Sequence, residues 1–270
     1  MMFEVLIVLG AGVLSAALRS FRHPALFRAG TLGFVATSFL AGWLIGGSVW
    51  TGAGFASTWF LLPWLEILTR VRKLRLPLDR HLESCAPPSR AAFPTFPDLT
   101  EEMESGGFEY VEDAGWNHGE TRQFFRLFRS ADRTTAGAIC LVEQSEFAFY
   151  YVALRSRALD GRILITWNYP FSYGLHQEPN TILNRAPGEH SVVEMIRRHR
   201  IFLEQEARTG VAPIEDEALR RDLQSDLRGQ LDHNLACGIL KKAEDSTICY
   251  TVRGMFFLWF QFLRDFVRFS

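Results

Sequence analysis

The sequence predicts a membrane anchor of two or three transmembrane α-helices, followed by a soluble α+β domain with an antiparallel sheet. Three observations lead to this prediction: a long uncharged apolar segment early in the chain, strand-like runs separated by turn residues in the middle, and helical patterns near the end. With 48% hydrophobic and 22% charged residues, the composition excludes a disordered chain, and 4 cysteines are too few for a disulfide scaffold.

Residues 1–70 form the predicted anchor. The segment 29–65 carries no charged side chain, and as a single helix it would run about 55 Å, whereas the apolar core of a bilayer is only about 30 Å thick. Because clustered glycines in its middle favour a turn, we expect one span over 31–50 and a return over 53–68. The return is short and contains Pro63, so a re-entrant or interfacial segment is the alternative to a full crossing.

A further apolar stretch precedes this segment, from Phe3 to Leu18, and ends at Arg19. Its length is close to the lower limit for a span. A signal peptide is the competing interpretation, but such a peptide has positive charge before its apolar core, and this N-terminus offers only Glu4. The pattern therefore favours an uncleaved first helix.

Two clusters of basic residues orient the predicted helices. One lies within 19–28, between the first and second apolar segments, and the other within 70–80, after the third. Because lysine and arginine beside a span stay preferentially in the cytoplasm, both clusters are cytoplasmic only if an even number of crossings separates them. The sequence thus predicts a multi-pass protein of the cell membrane, with the lipid bilayer as a partner and a cytoplasmic C-terminal domain. If the third segment does not cross, this domain lies outside.

Gly42 and Gly46 are small residues four positions apart in the second predicted span. Such a pair lets two helix backbones approach closely. Contact with a second copy in a homodimer, or with a helix of a partner protein, is one interpretation. Packing against the neighbouring helices of the same chain is the other.

After the anchor, we expect a basic, proline-rich linker over 71–97 and a cytoplasmic α+β domain over 98–270. A short helix near 98–105 precedes the strand-like runs, which follow one another as a meander over 108–113, 122–129, 136–143, 147–157 and 162–169. The run from 147 to 154 is apolar on both faces, which is typical of an interior strand covered by helices. Asp160-Gly161 predicts a two-residue hairpin turn before the last run.

In that last run, Ile163, Ile165 and Trp167 are predicted to face the core, while Arg162, Leu164 and Thr166 lie on a half-exposed face.

Helical patterns follow the strands. Ser191, with Glu194 three positions on, forms a capping box at the start of one helix. Leucines at four-residue spacing over 216–235 predict the next. The phenylalanine-rich segment 255–270 is too short to span a bilayer, so it either covers a sheet face or lies in the headgroup region.

The stretch 238–254 resembles the wing of winged-helix domains, and this resemblance implies a recognition helix over 216–235. That helix, however, carries more acidic than basic side chains, and acidic residues also outnumber basic ones after residue 90. Both features oppose contact with phosphates, so no nucleic acid is expected as a partner.

The sequence contains no recognisable catalytic, cofactor or metal motif. Its histidines are not spaced three or four residues from one another, so no metal site is predicted.

Polar and aromatic residues do concentrate at two predicted strand ends: Trp116 and His118 at one, and Trp167, Asn168 and Tyr169 at the other. They indicate either a ligand or peptide groove or a cap on the core. We therefore expect a membrane-tethered protein-binding or assembly module without catalysis. A membrane-bound enzyme with its site at these loops is the alternative.

Overall fold

The computed structural model describes residues 2–21, 23–144, 147–171, 174–215, 218–244 and 246–268, which form seven α-helices and ten strands. The helices are α1 Met2–Ser20, α2 Pro24–Gly46, α3 Val49–Thr69, α4 Phe96–Ser105, α5 Val192–Glu206, α6 Leu219–Ala236 and α7 Val252–Arg268. The strands are β1 Leu76–Pro77, β2 Glu83–Ser84, β3 Phe108–His118, β4 Thr121–Ser130, β5 Ala136–Gln144, β6 Phe147–Arg157, β7 Ile163–Trp167, β8 Thr181–Arg185, β9 Leu240–Lys242 and β10 Thr247–Tyr250.

The apolar N-terminal segments form three consecutive antiparallel helices, α1 to α3. The chain turns back between α2 and α3 at Gly47, whose φ of 63° lies in the left-handed region that favours glycine. The turn therefore occupies only the two residues between α2 and α3, and the later glycines of the cluster, Gly52 and Gly54, lie inside α3. α3 also continues through Pro63 without ending.

Small residues set the spacing of these helices. A Cβ atom added at Gly33 would come within 2.4 Å of the Ser15 hydroxyl, where α1 crosses α2. Gly42 and Gly46 lie where α2 crosses α3, and an added Cβ at Gly42 would come within 2.7 Å of the Thr51 carbonyl oxygen. The backbone contact leaves no room for a side chain at Gly42, while at Gly33 and Gly46 the side chains of Ser15 and Thr51 would have to shift.

Two helices in the described part of the chain are long and apolar enough to cross a membrane, over Phe3–Ser20 and Ala25–Gly46. Only 6% of the first window and 17% of the second is buried inside the protein. Their apolar side chains thus lie mostly on the surface of the molecule.

Seven strands form the large sheet, in the order β2-β3-β4-β5-β6-β7-β8. The pairs from β3 to β7 are antiparallel, as the sequence predicts, and β2, which the sequence does not predict, also pairs with β3 in the antiparallel sense. β8, however, pairs with β7 in parallel, with Ile163 beside Thr181 and Trp167 beside Arg185. The sheet is therefore mixed, because the chain returns to the starting end of β7 before β8 begins.

The turn between β6 and β7 differs in detail from the expected two-residue hairpin. Among its residues Gly161 alone has a positive φ, of 88°, whereas a two-residue turn of the expected type needs positive φ at Asp160 as well. The Gly161 amide donates to the Ala158 carbonyl, and the Ala158 amide donates to the Arg162 carbonyl. The connection is thus the three-residue form, with glycine in the left-handed position.

Helices cover both faces of the large sheet. On one face, α4 and α5 pack over a core that contains Phe124, Phe128, Ile139, Leu141, Leu154 and Met195. On the other face, α6 lies over a core that contains Phe125, Leu127, Cys140, Tyr151 and Leu219. The two faces of β7 are reversed relative to the expectation, because Leu164 and Thr166 are fully buried beneath α5, whereas Ile165 and Trp167 are partly exposed.

The segment 71–97, which the sequence indicates as a linker, contributes a strand to each sheet. β1 pairs with β10 in a three-stranded sheet of order β1-β10-β9. β2 pairs with β3 at the edge of the large sheet. Hydrogen bonds therefore attach this segment to the domain at two places.

The last helix, α7, packs against α3 and α2, whereas α4, α5 and α6 cover the large sheet. The Trp259 indole donates a hydrogen bond of 2.8 Å to the Phe60 carbonyl oxygen of α3. The rings of Trp64 and Phe256 meet edge to face, with centroids 4.9 Å apart. Of the two alternatives for this helix, cover of a sheet face holds only in part: Phe257 packs against the core of the three-stranded sheet, while the aromatic stripe of α7 contacts aromatic side chains of α3.

We predict that replacing Gly42 by leucine destabilises the helical hairpin, because the new side chain displaces the Thr51 backbone. Overpacking of this kind costs about 1–3 kcal/mol of unfolding free energy. The measurement is thermal unfolding of the detergent-solubilised full chain.

Gly54→Leu is the matched control, since among the described residues nothing lies within 4 Å of a Cβ added there. Equal melting temperatures for the two variants would contradict the prediction. A lost dimer with unchanged melting would instead assign Gly42 to an intermolecular contact.

Candidate functional site

Trp116 and His118 lie in the last residues of β3. The Trp116 side chain is buried under the α6 side of the sheet, with the Arg80 guanidinium 5.3 Å from the ring centroid. His118 is half-buried and is the final residue of the strand, opposite Thr121. Trp116 is thus part of a packed core.

Trp167 and Tyr169 belong to an aromatic cluster at the end of β7. The Tyr169 ring centroid lies 5.4 Å from that of Trp167 and 5.1 Å from that of Tyr151. Phe149 and Phe171 extend the cluster, with edge-to-face rings 4.9 Å apart. Burial raises the pKa of Tyr169, because the phenolate would lose its hydration.

Asn168 is buried and makes two hydrogen bonds that hold the end of β7. Its carbonyl oxygen accepts from the Val152 amide at 2.6 Å, and its amide donates to the Glu189 carbonyl at 2.7 Å. It also lines an open groove of about 620 Å³, which extends to Phe27 of α2. The side chain therefore has a structural role at the wall of a groove between the first helices and the sheet.

The two predicted groups do not meet in one site. β3 and β7 are four strands apart in the sheet, which corresponds to about 19 Å at the usual strand spacing. Gln123 and Tyr151 lie between them on the same face, joined by a hydrogen bond of 3.2 Å. Trp116 and Trp167 thus lie at opposite sides of one core.

A cavity of about 150 Å³ lies between the large sheet and α6. Its floor is formed by the small residues Ala136, Ala138 and Ala153 of β5 and β6, where Ala138 and Ala153 are directly paired. Leu223 and Leu227 of α6 form the roof. Because alanine side chains are small, they leave a gap between these two strands and α6, which larger residues at the same positions would fill.

One end of the cavity is polar. Arg155 of β6 forms an ion pair with Asp226 of α6, and its guanidinium also lies 3.8 Å from Asp222. Burial raises the pKa of Asp226, while the neighbouring Arg155 opposes this shift. Gln177 and Glu178 complete this end. Arg157 also lies 3.9 Å from Asp226, so the three carboxylates exceed the two arginines by one charge, and the polar end favours a positively charged group.

His199 lies in a buried polar network on the other side of the sheet. The Ser156 hydroxyl donates to the Thr134 carbonyl, so the His199 Nε2–H donates to Ser156 Oγ, at 3.1 Å. Nδ1 of the same ring then accepts from the Thr166 hydroxyl at 2.9 Å. Ser156 and Thr166 are fully buried, so this serine and histidine pair belongs to a buried polar network.

Three potential metal ligands meet at the far end of α6. His176 Nδ1 lies 3.3 Å from His233 Nε2, and Cys237 Sγ lies 3.5 Å from the same nitrogen. All three ligand atoms are within 4.8 Å of one another. The spacing of the histidines alone does not reveal this cluster. The spacing of His233 and Cys237, four residues apart at the end of a predicted helix, is a sequence signal for two of its three ligands.

The fold is thus a three-helix apolar bundle joined to a mixed-sheet α+β domain with helices on both faces. Comparison with known proteins finds no matching family model, no matching curated protein and no matching solved structure.

We predict that acid destabilises the domain through His199. Burial lowers the pKa of this side chain to about 4, whereas an unfolded histidine titrates near pH 6.5. Between these two pH values the unfolded chain binds more protons than the folded one. The free energy of unfolding that buried, neutral His199 contributes is therefore complete above about pH 6.5 and is lost as the pH falls to about 4. The full effect is about 3 kcal/mol.

The measurement is the melting temperature of the full chain in detergent, at pH 7 and at pH 5. His199→Gln keeps a hydrogen-bonding side chain, and its melting temperature should fall less between pH 7 and pH 5. The melting temperature of the control His118→Gln should fall as far as that of the natural chain. An unchanged pH response in His199→Gln would refute the assignment.

Proposed function

We propose that the protein is a membrane-tethered binding module without a catalytic role, whose cytoplasmic domain accepts a small ligand in the cavity beneath α6. The ligand has an apolar body and one positively charged group. The observation that carries this proposal is the cavity itself, with its alanine floor and acidic end.

Tethering is supported by the surface of α1 to α3. Large apolar side chains on these helices are exposed to more than half of their area, including Phe3, Ile45, Trp50 and Leu65. A monomeric soluble protein rarely exposes so large an apolar surface. In contact with lipid, this apolar surface is not exposed to water, so it carries no free-energy cost of hydration.

Orientation is supported by the antiparallel packing of the three helices. The end of α1, the start of α2 and the end of α3 lie at the same end of the bundle, and both basic clusters adjoin these termini. The positive-inside tendency then favours the cytoplasm for that end and for the domain that follows.

Ligand binding is supported by the balance of the cavity lining. Aliphatic and aromatic side chains such as Ile165, Trp167 and Leu183 surround most of the space, and the polar groups are confined to one end. Sites for small molecules have this distribution. A cavity of about 150 Å³ accommodates a molecule of the size of benzene. The alternative of an enzyme at Trp116 and Trp167 has less support, because these residues lie on strands that are about 19 Å apart in the sheet.

We predict that the domain is protected from protease added outside intact cells or spheroplasts, and that the chain resists extraction by alkaline carbonate. Permeabilised cells, in which the domain is digested, are the control. Digestion from outside would overturn the orientation, and release by carbonate would overturn the tethering.

We predict that benzylamine binds the detergent-solubilised full chain and raises its melting temperature. Benzoate, which has the same ring and the opposite charge, should bind more weakly because of the acidic end. Ala153→Leu fills the cavity and should abolish the benzylamine effect while its own melting temperature is kept or raised.

Ala91→Leu is the control for added apolar volume, because Ala91 is exposed and lies outside the cavity lining. Benzylamine stabilisation that persists in Ala153→Leu would exclude the cavity as the binding site.

A further inference from the structure

We propose that His176, His233 and Cys237 form a binding site for a transition-metal ion of the zinc class. His176 Nδ1, His233 Nε2 and Cys237 Sγ are its ligand atoms. This inference goes beyond the proposed ligand binding and concerns a separate site at the end of α6.

The distances between the ligand atoms match tetrahedral zinc coordination. With Zn–N of about 2.05 Å and Zn–S of about 2.3 Å, tetrahedral geometry places two nitrogens about 3.3 Å apart and a nitrogen and a sulfur about 3.6 Å apart. The corresponding distances are 3.3 Å from His176 Nδ1 to His233 Nε2 and 3.5 Å from His233 Nε2 to Cys237 Sγ. The third pair, His176 Nδ1 and Cys237 Sγ, lies within 4.8 Å, so small rotations of these side chains bring all three atoms onto one ion.

Two elements hold the ligands in place. His233 lies in the last turn of α6, and Cys237, four residues on, caps the end of this helix, where its amide donates to the His233 carbonyl. His176 comes from the loop before β8 and is fixed by the fully buried Asn234. Asn234 Oδ1 accepts from the His176 amide at 2.7 Å, and its Nδ2 donates to the His176 carbonyl at 2.9 Å. Asn234 thus acts as a positioning residue for the third ligand.

The chemistry of the donor set selects the metal. Two imidazoles and a thiolate suit zinc and its neighbours better than magnesium or calcium, which prefer oxygen. Three protein ligands leave a fourth position for water, and His176 is exposed there. His176 Nδ1 also lies 3.1 Å from the Gln177 carbonyl oxygen, so an ion bound at Nδ1 requires the tautomer that carries the imidazole proton on Nε2. Because Cys237 binds as a thiolate, affinity rises with pH.

The test is titration of the full chain in detergent with Co²⁺, after treatment with a chelator and in a reductant that does not bind metals. A thiolate-to-cobalt charge-transfer band and the intense bands of tetrahedral cobalt are expected, and Zn²⁺ should displace both. Cys237→Ser should lose the charge-transfer band, and His176→Gln should weaken binding at least about 10-fold.

Cys85→Ser is the matched control, because Cys85 lies beside β3, on a different part of the domain, and this variant should retain the full spectrum. Asn234→Ala should weaken Co²⁺ binding about 10- to 100-fold while keeping the charge-transfer band, as expected for a positioning residue. The proposal is overturned if the natural chain gives no charge-transfer band, or if the band survives in Cys237→Ser.

Discussion

The contact between α7 and α3 is the constraint that fixes the arrangement of the molecule. α7 is anchored to the apolar bundle by the Trp259 hydrogen bond and by stacking of Trp59 on Phe266 at 5.5 Å. The same helix is tied to the large sheet, because the nearly fully buried Asp265 pairs with Arg185 at the end of β8. A buried ion pair of this kind is costly to break. The chain therefore closes on itself, with its last helix shared by both halves.

The two faces of the large sheet differ in how completely side chains fill the core between the sheet and its helices. On the α5 side of the sheet, Leu154 and Leu164 are fully buried, and Leu154 belongs to a continuous core with Phe124, Phe128 and Met195. On the α6 side, the leucine stripe rests on large residues near Leu219 but passes over alanines at Ala138 and Ala153. A helix packed on a flat apolar sheet would exclude this volume. The side chains on β5 and β6 thus decide where the cavity lies.

Much of the fold was predictable because local patterns decide it. The alternation in the strands, the Ser191 cap, whose hydroxyl accepts from the Glu194 amide, and the leucine stripe of α6 are all present. The parallel pairing of β8 was not predictable, because its polar residues show neither strand alternation nor a turn signal. The site was harder still, since it depends on residues far apart in sequence: His176 and His233 meet only when Asn234 of α6 binds the His176 backbone.

One segment links the cavity and the proposed metal site. Gln177, Glu178 and Thr181 line the cavity, while His176, the residue before them, faces His233 and Cys237. α6 contributes in the same way, with Leu223 and Leu227 over the cavity and the two metal ligands further along the helix. An ion that joins His176 to α6 therefore restrains the residues that close the polar end of the cavity. Because the His176 ring also lies 5.8 Å from that of Phe257 in α7, this restraint reaches the helix that packs on the apolar bundle.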